Sequence, residues 1–243
     1  MTYNFNNSSQ DHINGLRLVW LNTEDIRIEV GQCRDSTNTV DMVNGANITV
    51  QIDASAGANA LDGEAGEAFS TWYHVFLISG AGQTTAGLLN VDGVPTMPSG
   101  YTHKRHIGWV YNHTDPGNLQ TFDQTGTGRE RTYYWAEAPA DYIRVVNNVN
   151  QTGSYATVVC SSLVPTTASS FFMRLAATGG GNSAIDIQAV DGLAGVNDIT
   201  RVTQNAANYQ IVEIPCPDTK SFKYECNGAA TLQALVLGWR ETL

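Results

Sequence analysis

The sequence predicts an all-β protein built as two β-sandwich, jelly-roll-like lobes. Short runs of alternating apolar and polar residues recur along the chain, and clusters of Gly, Asn, Pro and Asp separate them. No helical period of apolar residues is sustained anywhere. Charged residues make up only 15% of the chain, which fits a turn-rich β protein and neither a helical nor a disordered one. A length of 243 residues is enough for one large or two small domains with a core of their own.

Residues 1–14 are polar and Asn-rich, and read as an arm that is ordered only against a neighbour. The N-terminal lobe is expected over 15–135. It opens with strands at 16–21 and 26–30, joined by a turn at 22–25, with Ile26, Ile28 and Val30 inward and Arg27 and Glu29 outward. Residues 48–52 (ITVQI) alternate as cleanly. Residues 53–70 are small and read as a rim loop with one helical turn before Phe69.

The centre of this lobe is 71–110. In 72–78 both alternating faces are apolar: Trp72, His74, Phe76 and Ile78 on one, Tyr73, Val75 and Leu77 on the other. Such a run is a strand buried on both sides. Pro95, Pro98 and Gly100 then impose a stiff, donor-poor crossing that a central strand does not tolerate. A second strand follows from Tyr101, with Ile107, Trp109 and Tyr111 sharing a face. A short strand at 119–122 lies between turn clusters at 112–117 and 124–128.

The passage 129–135 (RERTYYW) and the Ala138-Pro139-Ala140 break lead to the C-terminal lobe, 136–243. Strands are expected there at 142–146, 155–163, 171–176, 185–190, 199–203, 210–214, 222–226 and 232–239. Eight short strands at that spacing are the pattern of a jelly roll. Ile107-Gly108-Trp109-Val110 and Leu237-Gly238-Trp239-Arg240 each finish an apolar strand, an echo too short to establish a duplication.

Two segments resemble a module of tailed-bacteriophage virion proteins, found in tail fibres and capsid surface proteins. One is Gly31-Gln32-Cys33-Arg34-Asp35-Ser36-Thr37-Asn38. The other runs from the WYHVFLI strand through Pro95-x-x-Pro98-x-Gly100-Tyr101-Thr102 to Lys104-Arg105-x-Ile107-Gly108-Trp109-Val110. The resemblance spans roughly residues 16–112 and implies location on a virion more than a task. It also implies assembly around threefold positions.

The chemistry that the residues exclude is as informative. A net charge of −10, with 13 Lys and Arg spread singly, leaves no basic stripe to displace counterions from a nucleic acid, so no direct nucleic-acid partner is expected. No window is long and apolar enough for a membrane span, and residues 1–10 lack the basic and apolar regions of a signal peptide. Cys33, Cys160, Cys216 and Cys226 show no metal spacing. Cys216 and Cys226 could face each other across a hairpin, but buried free thiols fit cytoplasmic assembly better.

His103-x-x-His106, with His113 and Asp115 downstream, is the nearest approach to a metal cluster. On a strand, positions three apart point to opposite faces, so one ion does not take both. Asp35, Asn38 and Asp41, or Asp186, Asp191 and Asp198, lack the spacing of a calcium loop. No G-x-S-x-G elbow occurs, and Glu64, Glu67, Glu130 and Glu137 read as solvated loop charges, not a glycosidase pair. Tyr133, Tyr134 and Trp135 are candidates for core, subunit interface or glycan stacking.

The expectation is therefore a protein without cofactor, metal or catalytic residues. It is a non-enzymatic structural protein on the outer surface of a tailed-phage virion, assembled in the host cytoplasm and decorating the capsid. Its partners would be its own copies, as a trimer, and other virion proteins such as the major capsid protein. The alternative is a tail-fibre or baseplate module that binds a host glycan or receptor. A sandwich that starts near the N-terminus and fills the chain leaves no room for a fibre shaft of heptads or repeats.

Overall fold

A computed structural model describes residues 11–54, 56–63, 66–113, 118–136, 143–179, 184–189 (backbone alone at Ala189), 199–203, 209–216 and 219–243. The protein is all-β, and no described residue is helical. The chain divides into two compact units, residues 1–131 with Leu243, and residues 132–242. Residues 1–10 of the expected arm lie outside the described residues, as does the Ala138-Pro139-Ala140 break, whereas Ile13 and Asn14 at the end of that arm are in a strand of the first unit, with Ile13 buried.

Eleven strands lie in the first unit: β1 (Ile13–Gly15), β2 (Leu18–Trp20), β3 (Asp25–Ile28), β4 (Gly31–Arg34), β5 (Asp41–Asn44), β6 (Ile48–Gln51), β7 (Ala60–Leu61), β8 (Thr71–Ser79), β9 (Ala86–Asn90), β10 (His103–Asn112) and β11 (Phe122–Thr125). Ten of them form small sheets ordered β1-β4-β5, β2-β3-β6 and β10-β8-β9-β7, antiparallel except for β7 on β9, while β11 lies beside the strand that follows it. β8 is flanked by β10 on one side and β9 on the other.

Both faces of β8 are covered, as its two apolar faces demand. Val75 and Leu77 share their face with Leu89 and Gly87 of β9. A Cβ on Gly87 would stand 2.3 Å from Val50 Cγ2 and 2.8 Å from Ile28 Cδ1, so this face lies directly on β3 and β6. On the other face Phe76, Ile78, Ala86 and Leu88 form a buried cluster covered by Met97 and Tyr101. The proline-rich crossing therefore acts as the lid of a second, smaller core.

Four further expectations change in this unit. Val30 is 53% exposed, because β3 stops at Ile28 and the chain crosses to β4 with the Val30 carbonyl accepting from Leu16 N–H. Ile107 does not keep register with Trp109 and Tyr111, since a bulge in β10 takes it out of the ladder. Among its described residues the rim loop contains no helical turn but the two-residue strand β7. Residues 122–125, placed partly in a turn cluster, are strand β11, while Leu119 makes only an isolated bridge to Asn112.

β12 (Glu130–Trp135) contains the boundary between units. The second unit continues with β13 (Arg144–Val149), β14 (Ala156–Val159), β15 (Ala168–Thr178), β16 (Ala184–Ala189), β17 (Thr200–Thr203), β18 (Tyr209–Pro215), β19 (Ser221–Cys226) and β20 (Thr231–Thr242). One sheet runs β13-β20-β15-β18, with β12 also beside β20, and the other runs β14-β19-β16-β17. From β13 onward successive strands alternate between sheets except for the β16–β17 pair, which is the winding of a jelly roll. Each of the eight expected strands is present. Phe171, Met173 and Leu175 of β15 point into the core with Trp239 and Val236 of β20.

The two Gly-Trp echoes share one device. In β10 the ladder passes from His106 to Gly108 and skips Ile107; in β20 it passes from Val236 to Gly238 and skips Leu237. Each glycine has positive φ, +148° at Gly108 and +158° at Gly238, and each is followed by a buried Trp. A Cβ at Gly238 would stand 1.9 Å from the Tyr133 carbonyl oxygen.

Phe76→Ala or Trp109→Ala should each cost about 3–5 kcal/mol of unfolding free energy, the loss expected on emptying a buried aromatic site. Urea denaturation reads this directly. A near-native midpoint for Phe76→Ala would remove β8 from the core.

Candidate functional site

The segments that carry the virion resemblance meet at a corner of the first unit. Asp35 is buried at the end of β4. Its carboxylate accepts hydrogen bonds from the Thr39 and Val40 N–H groups (2.8 and 2.9 Å) and the Thr37 hydroxyl (2.5 Å). Burial alone would raise this carboxyl, but the donors outweigh it and hold it well below the ordinary range. Ser36 N–H donates to the Lys104 carbonyl at 2.8 Å, and His103 Nδ1 lies 3.7 Å from Asp35. Arg34 pairs with Asp41 (3.1 Å). A Cβ at Gly31 would stand 2.4 Å from Leu16 N, so β1 approaches β4 only because that position is glycine. This corner is a built turn whose polar groups are spent on the fold.

The same accounting applies to the candidate ions. Asn38 Oδ1 accepts from Asp11 N–H (2.8 Å), so Asp35, Asn38 and Asp41 are engaged separately. Asp186 pairs with Arg201 (3.2 Å), while Asp191 and Asp198 lie outside the described residues. His103 stands opposite Ser79 and His106 opposite Phe76, on opposite faces of β10. Among the described residues no group of three or more His, Cys, Asp or Glu gathers as a metal would require. Glu64, Asp115 and Glu137 fall outside the described residues.

His106 belongs instead to an aromatic layer with His74, Phe76 and Trp109. Ring centroids are 3.7 Å apart for His74–Trp109, 4.9 Å for His74–His106 and 5.5 Å for Phe76–His106. Burial pushes His74 down to about 4, against a smaller upward pull from Asp92. Burial, then the adjacent His74, pushes His106 down to about 3. Both imidazoles are neutral near pH 7 and serve as packing. The four cysteines are buried and outside any disulfide, and burial pushes Cys33 and Cys160 up to about 12. They are thiols without nucleophilic character.

The aromatic trio on β12 splits by strand alternation. Tyr133 stacks on Trp239 (4.4 Å between centroids, 8° between planes) and Trp135 lies 5.0 Å from the same indole, so both are inside the second unit. Tyr134 points the other way, is 43% exposed, and stacks on Phe172 of β15 at 5.5 Å. Gly238 lies opposite Phe172 in the ladder, and a Cβ there would meet Tyr134 Cα at 2.9 Å. The missing side chain lets Tyr134 lean across β20, an aromatic filling the gap over a strand glycine.

This sheet face continues across β15, β20 and β18. The Arg240 guanidinium lies 5.5 Å from the Phe172 ring and pairs with Glu213 (3.0 Å), which also accepts from the Ser170 hydroxyl (2.5 Å). Arg174 lies over the Tyr209 ring at 5.2 Å, beside Ile211. Tyr209 and Ile211 are 62% and 61% exposed. Reading the sequence missed all of these except Tyr134. The alternation Phe171-Phe172-Met173-Arg174 held the signal, because the residues that do not face the core must face out together.

In the first unit a groove of about 470 Å³ is lined by Asn44, Asn47, Thr49, Asn59, Thr84 and Thr85, with no charged side chain. Asn44, Asn59 and Thr85 hydrogen-bond to the backbone at Glu29, Gly87 and Val43, and so hold the loops that form it. Compared with known proteins, the chain matches no family model, and no curated protein matches it as a relative.

The depressed histidines set an acid limit. An unfolded histidine titrates near ~6.5, so below that pH the unfolded chain binds more protons than the folded one. Stability falls as pH drops from about 6.5 through 4 toward 3, and Asp35 adds its own loss only below about pH 4. Urea midpoints measured at pH 7, 5 and 4 should decline, and the double variant H74F/H106F should decline less. Equal pH profiles for the two proteins would contradict the burial account. Iodoacetamide at pH 8 should leave native thiols unmodified and label all four after unfolding; rapid native labelling would show that a cysteine is accessible.

Proposed function

We propose that the chain is a non-enzymatic structural protein on the outer surface of a tailed-phage virion, where it decorates the capsid. The observation that carries this reading is the corner described above. Two segments far apart in sequence carry the virion resemblance, and they are joined by the Ser36–Lys104 hydrogen bond and the Asp35–His103 approach. The residues that resemble such a module therefore pack as one architectural unit, with their side chains spent on packing and turns. Buried thiols suit assembly in a reducing cytoplasm.

The alternative is a tail-fibre or baseplate module that binds a host glycan or receptor, and two all-β lobes are compatible with either place on the particle. A trimer with contacts to the major capsid protein completes the reading, and exposed Phe69, Val94 and Val159 offer apolar points for such contacts.

Labelled antibody against the protein, imaged on intact particles, should decorate the head; label confined to the tail would overturn the capsid assignment. Light scattering at micromolar concentration should give about three times the 26.2 kDa chain mass. A monomer at every concentration would remove the trimer as an intrinsic property.

A further inference from the structure

We propose that the outward face of the sheet β13-β20-β15-β18, with Tyr134 from β12, binds a carboxylate-bearing anionic polysaccharide. Tyr134 and Tyr209 supply stacking surfaces, and Arg174 and Arg240 supply charge. The proposal holds whether the protein sits on a capsid or a tail, so its failure leaves the assignment to the virion surface untouched.

The first argument is pre-organisation. An exposed tyrosine free to rotate loses side-chain entropy when a sugar stacks on it. Tyr134 is already held on Phe172, with Arg240 beside the same ring, so one face of its ring is occupied and the other is presented. At the opposite end of the face Tyr209 is held by Arg174. Sugar rings present a C–H face to such aromatic surfaces and hydroxyls to the groups around them, and an amphipathic tyrosine serves both.

The second argument is spacing. Phe172 pairs with Glu213, Arg174 with Ile211 and Ala176 with Tyr209, three successive rows on one face. Rows on one face are about 7 Å apart along a strand, so the two aromatic ends stand roughly 13 Å apart with the arginine row between them. That length suits an extended oligosaccharide lying along the strands, stacked at both ends. Glu213 accepts from Ser170 and Arg240, and its carboxylate is placed to accept sugar hydroxyls as well.

Charge selects the ligand. Arg174 has the Tyr209 ring as its partner and no carboxylate among the described residues. On a chain of net charge −10, a guanidinium held over a tyrosine ring on the outward sheet face is a local reversal of sign. A guanidinium fork fits a carboxylate in two parallel hydrogen bonds. A second copy of the chain is the competing occupant, since tyrosine and arginine are also enriched where proteins meet, and the oligomeric mass of the variants separates the two. Nucleic acid is opposed by the net charge of the whole chain.

The test is affinity electrophoresis of the full chain through gels containing alginate, polysialic acid or neutral dextran. Retardation is expected in at least one of the two acidic gels and not in dextran, and it should weaken with added salt. Arg174→Ala should raise the apparent Kd about tenfold at unchanged melting temperature, with Arg174→Lys intermediate, and Tyr134→Ala should raise it about tenfold in protein that remains folded, at a lowered melting temperature. Val159→Ala, on the other sheet, should leave retardation intact. No retardation in either acidic gel, equal retardation in dextran, or retardation insensitive to both variants would overturn the proposal. So would stronger competition by single-stranded DNA than by the acidic polysaccharides, or variants that change only the oligomeric mass.

Discussion

The constraint on which the first unit depends is that β8 has no face to give to water. Its residues alternate between two apolar sets, so a single sheet packed on one side would leave half of them exposed. The chain solves this with two different covers. Ile28 and Val50 close one face at the bare backbone of Gly87, and the proline-rich crossing closes the other through Met97 and Tyr101. The crossing has to be stiff and poor in backbone donors, because it lies over a strand whose hydrogen bonds are already satisfied by β9 and β10. Proline content and double-sided burial are thus one fact seen twice.

The same economy appears in the glycine-marked bulges. A regular strand would send residues three apart to opposite faces, yet His106 and Trp109 share the aromatic layer because the bulge removes Ile107 from the alternation. In β20 the bulge at Leu237 brings Trp239 into the core and leaves Gly238 bare beneath Tyr134. A local backbone irregularity therefore decides what each side chain can do. His106 becomes a buried neutral ring, and Tyr134 becomes a fixed, exposed one.

Much of the architecture was legible in the sequence because it rests on period-two alternation. The two apolar faces of 72–78 and the eight strands of the second unit announce themselves this way, as does the burial of Ile26, Ile28 and Val50. What stayed hidden was set by pairing. Nothing local distinguishes 86–90 as the strand beside β8, since its residues are small or uniformly apolar and carry no alternation. Val30 follows the local period, yet it is exposed because β3 ends two residues earlier. The outward face of the jelly roll was hidden for a related reason. Tyr134, Phe172, Arg174 and Tyr209 come from three strands, and only the register brings them together.

Structure and proposed role thus divide the polar chemistry of the chain. In the first unit, charged and titratable groups are consumed by turns and burial, as at Asp35 and His106. The outward sheet face of the second unit keeps arginine and tyrosine available. The central claim is that β8 is the doubly buried strand around which the first unit is organised, and backbone hydrogen exchange at neutral pH tests it most directly. The account predicts that amides within Thr71–Ser79 and their partners in β10 exchange last in that unit, long after the β5–β6 turn at residues 45–47. Exchange of Thr71–Ser79 as early as that turn would contradict it.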